Sequence, residues 1–377
     1  LTNYFFVVAN KKDEKKLIAQ GNKKVVEARL EDAKFFWDKD RSKNLIKQIA
    51  NLKSVTFYEK LGTIYDKTQR LRKMAYFISD QLDIKKEKLE IAASICKSDL
   101  VSGLVGEGPE LQGIMGKYFA ANQGFEEDVS RAVSEHYLPI SISSTVPKKP
   151  ISYGLSIIDK LDTLVGFFLI NEKPTSSKDP LALRRSAIGL LRIIIENNLT
   201  VGLRDLIDYL IRFYTEQGVK YVNKNTHLEL INFFRDRMRN IFKEKRIRPD
   251  IIEASLSSHT NDNFLELYKK TLVMNKFISK DLGKNAVSTY RRAYNIIDRE
   301  KNISKSGPDA VLFKQDEEKE LFDKINDIRK AFTYKERKES YENHLKLLSD
   351  AKLSTDKFFD NVKVNDENND IKNNRLE

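Results

Sequence analysis

The chain has 377 residues, 40% apolar and 32% charged, with 67 Lys+Arg against 55 Asp+Glu, a net charge of +12 and a pI near 9.3. That length suggests two to three domains at roughly 150 residues each, and the positive excess suits a polyanionic partner whose phosphates Lys and Arg would neutralise. A single cysteine, Cys96, excludes an internal disulfide and a cysteine zinc cluster and fits a reducing cytoplasm; the longest apolar run, Thr163 to Ile170, falls well short of the roughly 18 residues of a membrane span.

Glycine (15) and proline (8) are sparse, which disfavours a turn-rich all-β chain and predicts an all-α one. Only Thr2 to Ala9 (TNYFFVVA) reads as a strand. An orphan strand in a chain that opens on Leu1 is expected to be left from a preceding domain. Val26, Leu30, Ala33 and Trp37 share one helix face, with Gly21-Asn22 as the expected break and cap before them. The segment 52–198 holds most of the glycines and prolines. Within it, Gly103 to Gly116 (GLVGEGPELQGIMG) matches no phosphate-binding spacing and reads as a loop and helix junction where backbones approach closely. The stripe Leu228, Ile231, Phe234, Met238, Ile241 predicts a helix opened by a capping box at Thr226 and Glu229. Ala286, Tyr290, Ala293 and Ile297 form another stripe, and Leu321, Ile325, Ile328 and Phe332 a third. Asp366 to Asn374 (DENNDIKNN) is expected to fray. The expected domains are 1–51, a strand and long linker helix; 52–198; and a helical 199–377.

The densest basic segment is RDRMRNIFKEKRIR, which carries Arg235, Arg237, Arg239, Lys243, Lys245, Arg246 and Arg248. Arg235 and Arg239 share a helix face, and guanidinium groups can fork onto phosphate oxygens; the same run would also suit a solvated helix face. A second cluster, Tyr290, Arg291, Arg292, Tyr294 and Asn295, interleaves aromatic, cationic and amide groups that can stack on and hydrogen-bond unpaired bases. Tyr290 also fits the apolar stripe, so a core role is open to it. No catalytic constellation is visible: His136, His227, His259 and His344 are scattered, Cys96 has only Lys97 beside it, and His136 before Pro139 suits a ring that meets free carbonyls at a helix end. Asp99 and Asp159 could be two acidic stations of a metal-dependent phosphohydrolase of the HD type. The pair there reads Ser98-Asp99, however, and no histidine precedes His136, so the donor set is poor for a transition metal and no metal is expected.

At these residues the chain resembles the beta subunit of bacterial glycyl-tRNA synthetase. The resemblance is carried by KSDLVSGLVGEGPELQGIMGKYFA, EHYLP and DKLDTLVGFFLINEKPTSSKDPLALRRSAIGLLRI, with GNKKVVEARLEDAKFFWDKDR before them and FFRDRMRNIF and YRRAYNII after. These blocks follow the family's order over nearly the whole chain, which would then be the C-terminal part of a longer subunit. The resemblance implies a degenerate HD-like domain at 52–198 and a DALR-type helical anticodon-binding domain within 199–377. It implies a two-alpha two-beta ligase in which ATP and Mg2+ act at the alpha subunit and this chain, with no cofactor of its own, binds tRNA(Gly). Gly108, Ser176 and Ile158 depart from the family pattern. The rival readings are the metal-dependent phosphohydrolase and a helical scaffold that binds RNA without specificity.

Overall fold

The computed structural model describes residues 3–141, 143–175, 178–220, 223–259, 261–297, 307–335 and 341–377. The departure at Ser176 lies outside them. Helices dominate, as the scarcity of glycine and proline predicts. The described residues divide into two compact units, one of residues 1–241 with 261–265 and one of residues 242–260 with 266–377.

The expected strand at Thr2 to Ala9 is not formed: residues 4–9 belong to no strand or helix. Their apolar alternation supplies β propensity, but a strand also needs a neighbour for its backbone groups, and here Phe6 and Val8 stand in solvent. The described sheet is elsewhere, a short antiparallel pair of β1 (Thr56–Tyr58) and β2 (Gly62–Thr63). Helix α1 (Leu17–Asp40) starts ahead of the expected break and runs through Gly21 and Asn22. The Asp13 carboxylate caps it by accepting from the backbone N–H groups of Ile18 (3.0 Å) and Ala19 (2.8 Å). Of the predicted α1 face, Trp37 stacks on Phe119 at 5.6 Å, whereas Leu30 is 64% exposed.

After α2 (Leu45–Gln48), the first unit contains α3 (Ile64–Leu82), α4 (Lys86–Ile95), α5 (Gly103–Glu107), α6 (Ile114–Asn122) and α7 (Glu127–Glu135), followed by α8 (Pro150–Leu169), α9 (Leu183–Glu196) and α10 (Leu203–Glu216). A reciprocal capping box opens α3: Asp66 N–H donates to the Thr63 hydroxyl (3.2 Å) and Thr63 N–H to the Asp66 carboxylate (2.8 Å). Helix α8 is almost wholly buried, its charged Asp159, Lys160 and Asp162 included, and is packed against α3, α4, α7, α9 and α10. Helix α10, placed in the third region by its position in the sequence, thus packs on the middle segment. Gly166 permits that contact, because a Cβ there would lie 2.3 Å from the Tyr214 hydroxyl oxygen.

Helix α11 (Thr226–Glu244) buries Ile231, Phe234, Met238 and Ile241 as the stripe predicts, but Leu228 is exposed. Its start is organised by Asn223 rather than by the expected box: the Thr226 hydroxyl donates to the Asn223 carbonyl (2.7 Å) and the Asn223 amide to Glu229 (2.6 Å). The second unit is built on α12 (Pro249–Ser258), α13 (Phe264–Ile278), α14 (Asp281–Ile297), α15 (Asp316–Lys335), α16 (Tyr341–Ser349), α17 (Lys352–Asn361) and α18 (Asn369–Leu376). Helices α14 and α15 form over the predicted stripes, but Tyr290 and Ile297 of the first and Ile325 of the second are exposed, and the Phe332 side chain lies outside the description. The tail expected to fray is instead α18. Asn368 caps it, Leu376 is buried, and Arg375 is held by Glu318 (2.7 Å) and Asp366 (2.8 Å). Docking on an apolar neighbour outweighs the weak helix propensity of its asparagines.

Candidate nucleic-acid interface

The two acidic stations are both buried in the first unit, and each is engaged through one oxygen, while Oδ1 of Asp99 is buried with no hydrogen-bond partner. Asp99 ties down the glycine-rich junction: one carboxylate oxygen accepts from the N–H groups of Gly113 (2.6 Å) and Gly116 (3.0 Å). A Cβ on Gly116 would lie 2.9 Å from that oxygen, so the backbone does approach closely here. Asp159 faces cations, with the ammonium groups of Lys67 and Lys97 each 3.2 Å from the same oxygen. Burial would raise its carboxyl, but those lysines hold it well below the usual carboxylate range. Lys97 also lies 2.8 Å from Nε2 of His136, whose Nδ1 is 2.7 Å from the Val133 carbonyl. An ammonium only donates and a carbonyl only accepts, so the ring is neutral, with Nδ1 protonated. Burial and then Lys97 push its pKa well below the ordinary value. Cys96 is buried beside this cluster and its thiol is pushed up to about 12, which leaves it inert.

One turn along α8, Asp162 is chelated by Arg70 through Nε (2.6 Å) and Nη2 (3.1 Å) and meets Lys67 at 3.1 Å. The Arg70 guanidinium lies over the Tyr214 ring, 3.8 Å from its centroid. Lys67, Arg70 and Tyr214 come from α3 and α10, far from α8 in sequence, and no local motif announces them. The donor set does not fit a divalent metal. Two ammonium groups stand against the Asp159 carboxylate, one oxygen of Asp99 is taken by backbone N–H groups, and the one nearby imidazole is bound to a lysine. Among the described residues no group of three or more His, Cys, Asp or Glu side chains is arranged to hold a metal ion.

The basic run does not form one surface. On α11, Arg235 and Arg239 share a face, and Arg239 pairs with Asp236. Arg237 projects elsewhere, with its guanidinium 5.0 Å from the centroid of the Phe233 ring. Lys243, Lys245, Arg246 and Arg248 belong to the second unit and are exposed at the end of α11 and the turn after it, where Arg246 takes a positive φ of 57°. Lys245 lies 5.8 Å from the centroid of Tyr268, and Arg248 chelates Asp250. The second cluster is a surface of α14. Tyr290 is 66% exposed and stacks on Tyr294, with ring centroids 5.9 Å apart and planes at 27°. Arg291 and Asn295 are exposed beside the pair. Arg292 is fixed by Asp360 (2.8 Å) above the Phe359 ring. Tyr294, one turn on from Tyr290, is at the ordinary spacing for side chains that meet on a helix surface. Beneath Tyr290 is an apolar cavity of about 600 Å³ among α13, α14, α16 and α17, lined by Phe277, Ala293, Leu348 and Phe358.

Residues 286–377, which include the stacked tyrosines, match the family model of the DALR anticodon binding domain. The chain is therefore a multi-helical protein that carries a domain of the anticodon-binding class. Residues 1–257 match the model of the glycyl-tRNA synthetase beta subunit, and the chain belongs to that family. It is 38% identical over 361 residues to the glycine–tRNA ligase beta subunit of Clostridioides difficile (strain 630), covering 95% of this chain and 52% of that protein. It is 37% identical to the beta subunit of Rhodospirillum centenum over 99% of this chain and 53% of the relative, and 38% identical to that of Rickettsia typhi over 99% and 54%. The chain thus spans about half the length of the curated relatives it matches. No helix among the described residues is long and apolar enough to cross a membrane.

Proposed function

We propose that this chain is the tRNA-binding part of a glycine–tRNA ligase beta subunit. It supports ATP-dependent attachment of glycine to tRNA(Gly) in a cytoplasmic two-alpha two-beta assembly, with ATP and Mg2+ acting at the alpha subunit. The observation that carries this reading is the exposed, stacked Tyr290–Tyr294 pair flanked by Arg291 and Asn295 inside the anticodon-binding domain. Two exposed tyrosine rings suit stacking with unpaired bases, and the adjacent amide and guanidinium can read base edges and phosphates. Lys243, Lys245, Arg246 and Arg248 add positive charge in the same unit, and Arg235 and Arg239 add it in the first. The chain's own acidic centre is committed to lysines and backbone N–H groups, which agrees with chemistry performed on the partner subunit.

The test is a filter-binding titration of this chain against tRNA(Gly) and a non-cognate tRNA at two salt concentrations, repeated with Tyr290→Ala. Loss of one stacked base is worth about 1–3 kcal/mol, so the variant is expected to bind tRNA(Gly) about tenfold more weakly. The cognate preference is expected to survive the higher salt. Equal binding of both tRNAs that vanishes at high salt would instead mean a non-specific RNA scaffold. Unchanged affinity in Tyr290→Ala would remove the tyrosine pair from the interface.

A further inference from the structure

We propose that the aromatic face shared by α3 and α10 is a protein-docking surface, on which the alpha subunit of the assembly proposed above seats a carboxylate flanked by apolar side chains. The proposal rests on the two-subunit part of that reading and is independent of its tRNA-binding part.

Helices α3 and α10 run in opposite directions within the first unit. Lys73 pairs with Glu216 (2.7 Å), and one turn further along α3 Phe77 meets Tyr209, two turns back along α10. Their inward faces carry Met74, Ile78, Leu206 and Leu210 into the core, and the outward positions are left to rings. The Phe77 and Tyr209 rings stack with centroids 3.7 Å apart and planes at 22°. Tyr76 meets Phe77 edge-on at 5.5 Å and is itself 48% exposed. Cations lie against these rings: the Lys86 ammonium is 3.3 Å from the Tyr76 centroid and the Arg212 guanidinium 5.7 Å from that of Tyr209. Neither Lys86 nor Arg212 forms an ion pair among the described residues. Single exposed rings are ordinary on a protein surface, but rings in mutual contact with cations laid on them form a patch. Rings already held by stacking lose little conformational entropy when a partner arrives, and tyrosine and arginine are the side chains on which interface energy concentrates.

The charge around the face decides which class of partner it takes. Lys73, Lys86 and Arg212 are set against Asp80, Asp205 and Glu216, so the local charge is balanced although the chain as a whole carries +12. A phosphate backbone is drawn by net positive charge and repelled by carboxylates. An aromatic and arginine centre inside a rim of both signs is instead the anatomy of a protein interface. Glu216 is already taken by Lys73, so Lys86 and Arg212 are the donors left for an incoming carboxylate, with the rings as apolar contact beside it. The acidic centre of this chain is committed to its own lysines, so the ligase chemistry proposed above belongs to a second protein, and that protein needs a face to hold. The α14 tyrosines, on the other unit, are then left to tRNA.

The experiment is a calorimetric titration of the full chain with the alpha subunit from the same organism, beside filter binding of tRNA(Gly), for wild type, Tyr76→Ala and Arg212→Glu. Each variant is expected to bind the alpha subunit about tenfold more weakly, with its melting curve and its affinity for tRNA(Gly) unchanged. Should Tyr76→Ala fail to fold, as judged by its melting curve, Arg212→Glu alone carries the test. Folded variants that bind the alpha subunit as wild type does overturn the docking face. So does a weakening confined to tRNA, which would make the face an RNA contact, and so does a loss confined to self-association, which would make it a contact between copies of this chain. A wild-type chain that binds tRNA(Gly) but not the alpha subunit overturns the docking face and leaves the tRNA-binding reading standing. Loss of alpha binding in both variants of a chain that binds no tRNA would support the face and overturn that reading.

Discussion

The centre of the first unit and the α14 face of the second use the same side-chain types to opposite ends. Arg70 is fully buried and spends its donors on Asp162, Tyr214 and Gln217, while Lys67 and Lys97 close on Asp159. On α14, Arg291 and Asn295 are in solvent and the tyrosines stack on each other at the surface. Charge satisfied inside a protein maintains architecture, because desolvation makes any unpaired member costly. Charge and aromatic surface left accessible are available to a ligand. The difference fits the acidic centre to structure and accords with the binding role proposed for α14, although in the sequence the acidic stations are the more suggestive of chemistry.

The strongest way to break that assignment is to remove Arg70. Arg70→Ala leaves Asp162 buried with only Lys67 and the Tyr214 hydroxyl, and loss of one partner from a buried pair costs about 3–5 kcal/mol. Urea denaturation is expected to show a loss of that order, and the Arg70→Ala, Asp162→Ala double variant should recover part of it. A loss below about 1 kcal/mol would mean that the centre is not structural.

A pH series sharpens the same point with a smaller effect. His136 is buried and neutral beside Lys97, with Asp159, Lys160 and the Val133 carbonyl as its other neighbours, and its folded pKa lies below the ordinary 6.5. As pH falls through about 6.5, the unfolded chain takes a proton that the folded ring refuses, so the unfolded state gains. Stability is therefore expected to fall from pH 7 to pH 5, at up to about 1.4 kcal/mol per pH unit. Asp159 and Asp162 do not contribute in that window. Their folded pKa values are depressed, so their stabilisation is present above the unfolded carboxylate range and lost only below it. His136→Gln has no proton to gain and should flatten the profile between pH 7 and 5. An equally steep profile in that variant would place the titrating group elsewhere.

What could be read in the sequence was local or periodic. The α11, α14 and α15 stripes declare their helices because one face of each repeats every turn. The close approaches at Gly113 and Gly116 follow from the glycines themselves. His136 meets a carbonyl because it ends α7 just before a proline turn. What could not be read depends on partners. Tyr4 to Ala9 has the composition of a strand but no neighbouring strand among the described residues. Asn-rich α18 becomes a helix because Arg375 reaches Glu318 and Leu376 is buried. The capping box sits at Thr63 and Asp66, where an aspartate does the work looked for from a glutamate at 229. The lysines that occupy the acidic centre come from α3 and from the end of α4, and nothing in the spacing of Asp99 and Asp159 points to them. Missing histidines could argue against a metal, but only the fold shows the ammonium groups that face the carboxylate instead.

The smallest predicted effect is the most discriminating one for α14. Tyr290 fits the apolar stripe, and it lines the same cavity as Phe358, so it could be a core residue that happens to be reachable. The two differ in burial: Phe358 is 6% exposed and Tyr290 is 66% exposed. Phe358→Ala is expected to cost about 3–5 kcal/mol, as large aromatic truncations in a core do. Tyr290→Ala should change stability by less than about 0.5 kcal/mol, the usual range for a surface site. Thermal melts of the two variants side by side decide the matter. A Tyr290→Ala loss near that of Phe358→Ala would make the ring part of the core, and any weakening of tRNA binding in that variant would then reflect a damaged fold. A silent melt would instead leave its effect on tRNA affinity as a direct reading of the contact.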